Sequence, residues 1–506
     1  MTVTRPNILW YCPDSQRFDT IGALGNPHVR TPNFDRLVAD GVAYTHAHCQ
    51  SPVCTPSRAS FLTGKYASTV HVNGNGNGHF PPDERLVTRR LADVGYDCGL
   101  IGKLHLAGAY NGRETRTDDG YRYFEYSHGP HPQWLVGDDY SAWLRGQGVD
   151  PFELLDREPQ RTGFLYEPSV DSDNVPPELH QTRWCSDRAI EFIEERRDGP
   201  WMLSVNPFQP HFPFNPPWEY YRRFDPETMP GPHVHPSDAA RQARLAVTDS
   251  PPLSANMPAA RIPWVRAGGG DRSSDVDLTN QAADARPTQD QLDRKIQAAY
   301  YAMIAQLDDE FGRILDVLDR TGQRENTLVI LTSDHGEMLG DHGLVLKGCR
   351  FYEGLVRVPL VISWPGQFEP GRQSDGLVEL IDIVPTLLDV AGLPIPRDVQ
   401  GRSLLPMLRG EASMSHHRDH VRCEYYNASA MKDGTNATMF RDRRWKIVTY
   451  HGHGLGELFD LESDPWEHHD LWDSPDHQDI KLDLLQRSFD AAVGALDRGP
   501  ERVMRF

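Results

Sequence analysis

The chain has 506 residues, 38% of them hydrophobic and 25% charged, with 40 Pro and 42 Gly. That profile belongs to a soluble globular protein with many ordered loops and excludes a disordered or fibrous chain. A formal net charge of −20 repels nucleic acid and anionic membranes alike, so an anionic ligand must meet a locally positive pocket.

No run of about 18 apolar residues marks a membrane span. The N-terminus passes from Met1 into an apolar run without a charged n-region and apolar h-region, which predicts a cytoplasmic protein. Seven cysteines, an odd number with no short repeated spacing, fit free thiols in a reducing compartment better than a disulfide framework. The sequons at Asn427 and Asn436 carry no weight without a signal.

In chain order, Asn7 to Tyr11 reads as a buried parallel strand that leads to Asp14. Ser51 to Gly64, SPVCTPSRASFLTG, predicts a helix capped by Thr55, with Pro56 in its first turn and Cys54 just before its N-terminus. Backbone N–H groups there favour an anion, and Arg58 adds a fixed cation one turn along. The glycine-rich His71 to Gly78 lacks the lysine and following helix of a P-loop, which excludes a nucleotide cradle. Cys98 to Ile101 leads to Lys103 and His105, and Trp201 to Val205 leads to His211.

Residues 226–287, rich in Pro, Ala, Asp and Ser with no sustained period, predict a long surface insertion. From Asp293 to Asp319, the residues Ile296, Tyr300, Met303, Leu307, Phe311, Ile314 and Leu318 recur at spacings of four and three, the pattern of one buried helix face. Gly322 follows its end, and the strand Leu328 to Thr332 leads to Asp334 and His335. Ligands bind outside the carboxyl ends of such strands, so the four strand-end loops are expected to converge on one pocket.

After about residue 410 the texture changes: Arg441 to Tyr450 and Glu457 to Leu461 read as antiparallel strands, and Asp479 to Leu496 as a terminal helix. The expected fold is α/β, a large doubly wound, mostly parallel sheet flanked by helices over residues 1–410. A smaller C-terminal α+β subdomain with an antiparallel sheet follows over residues 411–506.

The string CTPSR at Cys54 to Arg58, continued by Ala59 to Gly64, resembles the sulfatase family signature: cysteine, any residue, proline, serine or alanine, arginine. NILWYCPD resembles that family's first metal-binding strand, and GKLH at Gly102 to His105 its lysine and histidine motif. TSDHG and LVLKG resemble its second metal segment and a sulfate-binding lysine. With LFDLESDPWEHHDLW near the C-terminus, the likeness spans nearly the whole chain.

The resemblance is to formylglycine-dependent (type I) sulfatases of the alkaline phosphatase superfamily, and it implies a hydrolase of sulfate esters. Cys54 would be oxidised by a formylglycine-generating enzyme and hydrated to a geminal diol. One hydroxyl then attacks sulfur and expels the alcohol; the other loses its proton and ejects sulfate. Arg58, Lys103 and Lys347 carry over as cations around the sulfate, His105 as the base for the second hydroxyl, and His211 as the acid for the leaving alcohol. Asn73 carries over as a substrate-binding residue.

For one divalent metal, the resemblance implies Asp14, Asp334, His335 and an oxygen of modified Cys54, with Ser15 as a weak ligand that Gln16 or water replaces. Such donors favour Ca²⁺ over Mg²⁺ or Mn²⁺. Two departures stand out: Ser15 where many relatives have an acid or glutamine, and His335 where many have asparagine. The histidine leans toward Mn²⁺ and toward the phosphonate monoester hydrolase branch, whereas the serine of CTPSR leans toward sulfate.

Asp341, His342 and Gly343 repeat the Asp-His-Gly tripeptide and read as loop residues, and Glu424 to Asn427 read as a strand and turn able to reach the pocket. The expected partners are a small-molecule or glycan sulfate ester and the maturation enzyme, with no nucleic acid and no membrane; related bacterial enzymes also suggest a homo-oligomer. Two readings compete: a phosphonate monoester or phosphodiester hydrolase using the same formylglycine, and a protein that merely binds sulfated ligands with Cys54 unmodified. A two-metal phosphatase site is disfavoured by Pro207, which stands where that branch uses an aspartate.

Overall fold

Alternating residues of the first strand, Asn7–Tyr11 (β1), divide the core in two: Ile8 and Trp10 enter one apolar cluster, Leu9 and Tyr11 the other. Burial on both faces is what a doubly wound parallel sheet demands of its central strands. The computed structural model describes residues 5–130, 135–155, 175–249, 289–429, 434–496 and 504. The other strands of the large sheet are β2 (Val42–His48), β3 (Asp97–Gly102), β4 (Tyr123–Tyr126), β5 (Trp201–Asn206), β6 (Thr327–Thr332), β7 (Arg357–Val358), β8 (Leu360–Ser363) and β9 (Arg372–Glu379). They run in the order β4-β3-β5-β1-β6-β8-β2-β7, with β9 also on β2. From β4 to β6 every pairing is parallel, whereas β6-β8, β8-β2 and β2-β7 are antiparallel.

The four strands expected to carry chemistry are therefore immediate neighbours, β3-β5-β1-β6. Helices α1 (Cys54–Thr63) and α5 (Ile383–Val390) cover one face; α2 (Gln181–Glu194) and α4 (Gln289–Arg320) cover the other. All seven stripe residues of α4 are fully buried, and Ala298, Ala299 and Ala302 widen the buried face beyond the stripe.

Residues 226–249 of the expected insertion are not wholly irregular. Helix α3 (Ser237–Arg244) buries Asp238, Arg241 and Gln242, a polar buried face that hydrophobic periodicity does not register. The remainder, 250–287, lies outside the described residues. All seven cysteines are buried and unpaired. Among the described residues no helix is long and apolar enough to cross a membrane.

The C-terminal sheet is antiparallel, β10 (Val421–Tyr426), β11 (Asn436–Arg441), β12 (Trp445–His451) and β13 (Leu455–Asp460) in that order. The strand expected over Arg441 to Tyr450 is β12, which begins at Trp445; Arg441 ends β11, and a tight turn joins the two. There the Asp442 carboxylate accepts the backbone N–H groups of Arg444 and Trp445, a local bond that competes with the ladder. Helix α6 (Gln478–Gly494) packs on this sheet through Leu484.

A buried ionic network joins the two sheets. Lys446 on β12 is fully buried and reaches Glu353 at 2.7 Å, Glu467 at 2.6 Å and the Phe351 carbonyl at 2.8 Å. Arg441 on β11 lies 3.5 Å from Glu353 and 3.2 Å from His48 of β2. Burial pushes the Glu353 carboxyl up, but Arg441 and Lys446 outweigh it and hold the group well below its ordinary 4.5. A depressed folded pKa means that this stabilisation is complete above pH 4.5 and is lost as the pH falls through the folded value. Lys446→Met takes the cation from Glu467 and leaves Glu353 to Arg441, and is expected to cost about 3–5 kcal/mol in urea unfolding at neutral pH. The penalty should shrink on acidification, as the two carboxylates take up protons.

Candidate active site

Because β1 and β6 are adjacent and parallel, with Tyr11 opposite Leu331, their carboxyl ends deliver Asp14 and Asp334 side by side. The left-handed backbone of Ser15, φ 67°, turns its N–H onto Asp334 Oδ1 at 3.0 Å, and its hydroxyl donates to Asp14 Oδ1 at 2.9 Å. The N–H of His335 donates to the same Asp334 oxygen at 3.0 Å.

Lys103 follows β3 through Gly102, whose φ is +89° and where a Cβ would fall 2.2 Å from the Asn206 carbonyl. Only glycine lets the two chains approach so closely there. The Lys103 backbone is pinned by Asn206, whose carbonyl accepts its N–H at 3.0 Å and whose amide donates to its carbonyl at 2.9 Å.

Helix α1 begins at Cys54, which corrects the expected start: Cys54 is the first helical residue and Thr55 is not its cap. Asn75 supplies the missing cap by accepting the Thr55 N–H at 3.0 Å. All ten residues of α1 are buried, and the Ser60 and Thr63 hydroxyls donate to the helix's own carbonyls. Polar residues survive in such a position only when bonded internally.

Around Cys54 the expected residues converge. Its sulfur lies 2.6 Å from Lys347 Nζ, 3.2 Å from His335 Nε2, and 3.7 Å from both Asp14 Oδ1 and Lys103 Nζ. Lys103 Nζ donates to Asp14 Oδ2 at 2.6 Å. His105 and His211 also reach Cys54 with their imidazoles. Phe208 lies under the Lys103 ammonium at 5.4 Å and packs on His211 at 4.6 Å. Asp14, Cys54, Asp334 and His335 are fully buried, whereas His211 and Lys347 are partly exposed and form the open side.

The Arg58 guanidinium is committed in three directions. Its Nε donates to Asp334 at 3.0 Å, one Nη to Asp14 at 3.2 Å and the other to the Lys103 carbonyl at 3.1 Å. It therefore clamps the two carboxylates.

Burial and the Cys54 sulfur both push the Asp14 carboxyl up, yet Lys103 and Lys347 outweigh them and hold it far below the usual range. The same two ammonium groups overcome burial to bring the Cys54 thiol well below its ordinary value. Burial, with Lys103 adding to it, lowers His105 to about 4. Burial and Lys347 also lower His211. Both imidazoles are therefore neutral at pH 7. His335 runs the other way, raised to about 9 because Asp334 outweighs its burial.

The sulfatase family profile matches residues 6–393, and that of the N-sulphoglucosamine sulphohydrolase C-terminal region matches residues 340–492. The chain belongs to the sulfatase family. It is 29% identical over 499 residues to an arylsulfatase of Clostridium perfringens, covering 96% of this chain and 93% of that one. It is 30% identical over 532 residues to a multifunctional alkaline phosphatase superfamily protein of Trinickia caryophylli, covering 98% and 97%. The phosphonate monoester hydrolase structure from Agrobacterium radiobacter superposes with a TM-score of 0.77 at 28% identity, covering 98% of this chain and 97% of that one.

A sulfatase of this family requires a metal ion, and the residues present fit one. Donor atoms of Asp14, Cys54, Asp334 and His335 lie within 4.8 Å of one another. Two carboxylates, an imidazole and a sulfur or its oxygen replacement form a set that can hold a divalent cation. Ser15 touches Asp14 through its hydroxyl; Gln16 donates its amide nitrogen to Thr20 at 3.1 Å and keeps a buried Oε1 without a partner among the described residues.

Other expected residues make no hydrogen bond to the cluster among the described residues. Asn73 has a buried Oδ1 with no partner and no hydrogen bond to the cluster among the described residues. Asp341 pairs with Arg17 at 2.8 Å, and His342 Nδ1 lies 3.1 Å from Asp238, so the second Asp-His-Gly pins loops. Glu424 accepts from Ser68 at 2.8 Å and pairs with Arg422 at 3.1 Å, while the Tyr425 hydroxyl donates to Asp249 at 3.1 Å. Asn75 and Asn206 escaped the sequence reading because an asparagine that bonds only to backbone leaves no pattern in one sequence. Asp334→Asn is expected to abolish the stabilisation that a divalent ion at about 100-fold its Kd gives the parent, about 2.7 kcal/mol, in a chelator-versus-Ca²⁺ melting comparison.

Proposed function

We propose that this sulfatase hydrolyses sulfate monoesters, of a small alcohol or a glycan, at Cys54 carrying the formylglycine modification. The observation that carries the proposal is the convergence of Lys103, Lys347, His105 and His211 on one buried cysteine beside paired carboxylates. A monoester sulfate bears its charge on the non-bridging oxygens, and two ammonium groups in a low-dielectric pocket compensate it where water cannot. The hydrated aldehyde supplies a nucleophilic hydroxyl and a second hydroxyl through which sulfate departs. A bound divalent ion supplies Lewis acidity; Asp14, Asp334 and His335 hold it, with Ca²⁺ as the proposed ion and Ser15 at the margin of the set.

The chain's own residues divide the remaining work by depth. His211, on the open side, faces the part of the substrate that must face solvent and protonates the departing alcohol from its imidazolium form, the minor form at pH 7. His105, buried to 6% exposure, takes the proton of the second hydroxyl, and its neutrality at pH 7 suits a base. Lys103 and Lys347 hold the sulfate oxygens, and Arg58 holds the two carboxylates against their mutual repulsion.

A phosphonate monoester hydrolase is the second reading. It rests on His335 in the donor set and on the likeness to the Agrobacterium radiobacter enzyme. Both substrate classes are monoanions, so the two lysines serve either. Turnover of nitrophenyl sulfate is expected to exceed that of the nitrophenyl ester of phenylphosphonate in kcat/KM, and Cys54→Ala to abolish both. The reverse order transfers the assignment to the phosphonate branch. Tight binding of a sulfate ester with no turnover by the modified protein would mean a binding protein.

A further inference from the structure

The residue after Lys103 in the motif, Leu104, leads into a loop with no ladder of its own, and His105 sits there at φ 59°, a left-handed conformation that a histidine adopts only when held. What holds it is Glu114. One of its carboxylate oxygens accepts the His105 N–H at 2.6 Å; the other accepts the Leu106 N–H at 2.7 Å and the Ala107 N–H at 2.9 Å. Glu114 is 4% exposed, and three consecutive backbone donors on one carboxylate form an anion nest built by the chain itself.

A second line of contacts returns from Glu114 to the same imidazole. The Tyr126 hydroxyl contacts the Glu114 carboxylate and lies 3.0 Å from His128 Nδ1. An ionised carboxylate only accepts, so Tyr126 donates to Glu114 and its oxygen receives the His128 Nδ1 proton. The His128 ring then meets His105 edge-on, with centroids 4.5 Å apart and planes at 80°. Glu114 thus fixes the backbone of His105 directly and its ring through Tyr126 and His128. His105 Nδ1 itself is buried without a hydrogen-bond partner among the described residues, so on that side the ring is held by this packing, while the imidazole also reaches Cys54.

We propose that Glu114 is a positioning residue for the step that releases sulfate. This rests on the reading of His105 given above. In that step the free hydroxyl on the Cys54 carbon gives its proton to the His105 imidazole, the carbon–oxygen double bond re-forms, and the bond from that carbon to the sulfate oxygen breaks with its electron pair leaving on sulfate. Nothing is oxidised or reduced. A ring displaced by loss of the Glu114 anchor slows this step and leaves the earlier expulsion of the alcohol intact, because that step uses His211 and the lysines. Glu114 carries out no proton transfer with the substrate.

The test uses the full-length modified enzyme with Glu114→Gln, which keeps size and shape but turns an NH₂ group toward one of the three N–H donors. Pre-steady-state turnover of nitrophenyl sulfate should show a burst of one nitrophenol per active site, then a steady state slowed by about 10-fold or more. Mass analysis of the quenched Cys54 peptide should find it sulfated, and amide hydrogen exchange of the 105–107 segment should accelerate. Parent-like steady-state turnover, or equal loss of burst and steady state, would overturn the proposal. His105→Ala is the control. If it accumulates the sulfated peptide while Glu114→Gln does not, positioning by Glu114 fails and the reading of His105 stands; if His105→Ala accumulates none, the reading of His105 fails and takes the proposal with it.

Discussion

Two carboxylates with no solvent exposure, Asp14 and Asp334, stand beside each other at the centre of the molecule, and the rest of the site is arranged around the cost of keeping them ionised. Arg58 clamps both, Lys103 reaches Asp14, and the N–H groups of Ser15 and His335 bind Asp334. This compensation explains why α1, a helix of mixed polarity, lies wholly inside the protein: its first residue is the proposed nucleophile, and its fifth is the cation that the carboxylate pair needs. It also explains why the neighbouring sulfur and imidazoles titrate so far from their ordinary values. Burial lowers His105 and His211, Asp334 raises His335, and Lys103 and Lys347 lower the Cys54 thiol where water does not screen.

The arrangement separates charge by depth. Fixed cations and anions are buried and matched, whereas the side open to solvent carries Lys347 and a neutral His211. An acidic protein with a net charge of −20 thereby presents a substrate anion with an ammonium group and an imidazole at the mouth. In the proposed mechanism the acid and the base differ by position rather than by residue type, His211 being partly exposed and His105 buried.

Much of this was legible in the sequence. The four apolar runs before Asp14, Lys103, His211 and Asp334 read as buried strands because burial on both faces leaves continuous hydrophobic stretches, and strand-end chemistry follows from the topology. The stripe from Ile296 to Leu318 predicted the long helix for the same reason. What escaped has a common cause. Asn75, Asn206 and Glu114 act by accepting or donating to backbone groups, and such partners are brought together by folding over distances that no local pattern encodes. Helix α3 was missed because its buried face is polar, and the β11–β12 turn because Asp442 breaks a strand-like run from within.

In the proposed mechanism Cys54 works as an aldehyde, in a pocket whose cations would otherwise hold the cysteine as a thiolate. The most direct measurement is a tryptic mass map of protein produced with the formylglycine-generating enzyme. The account predicts that the Cys54 peptide is lighter by about 18 Da, the change from thiol to aldehyde, in the molecules that turn over sulfate ester. An unmodified Cys54 peptide in fully active protein would contradict it and return the chemistry to the metal and its ligands.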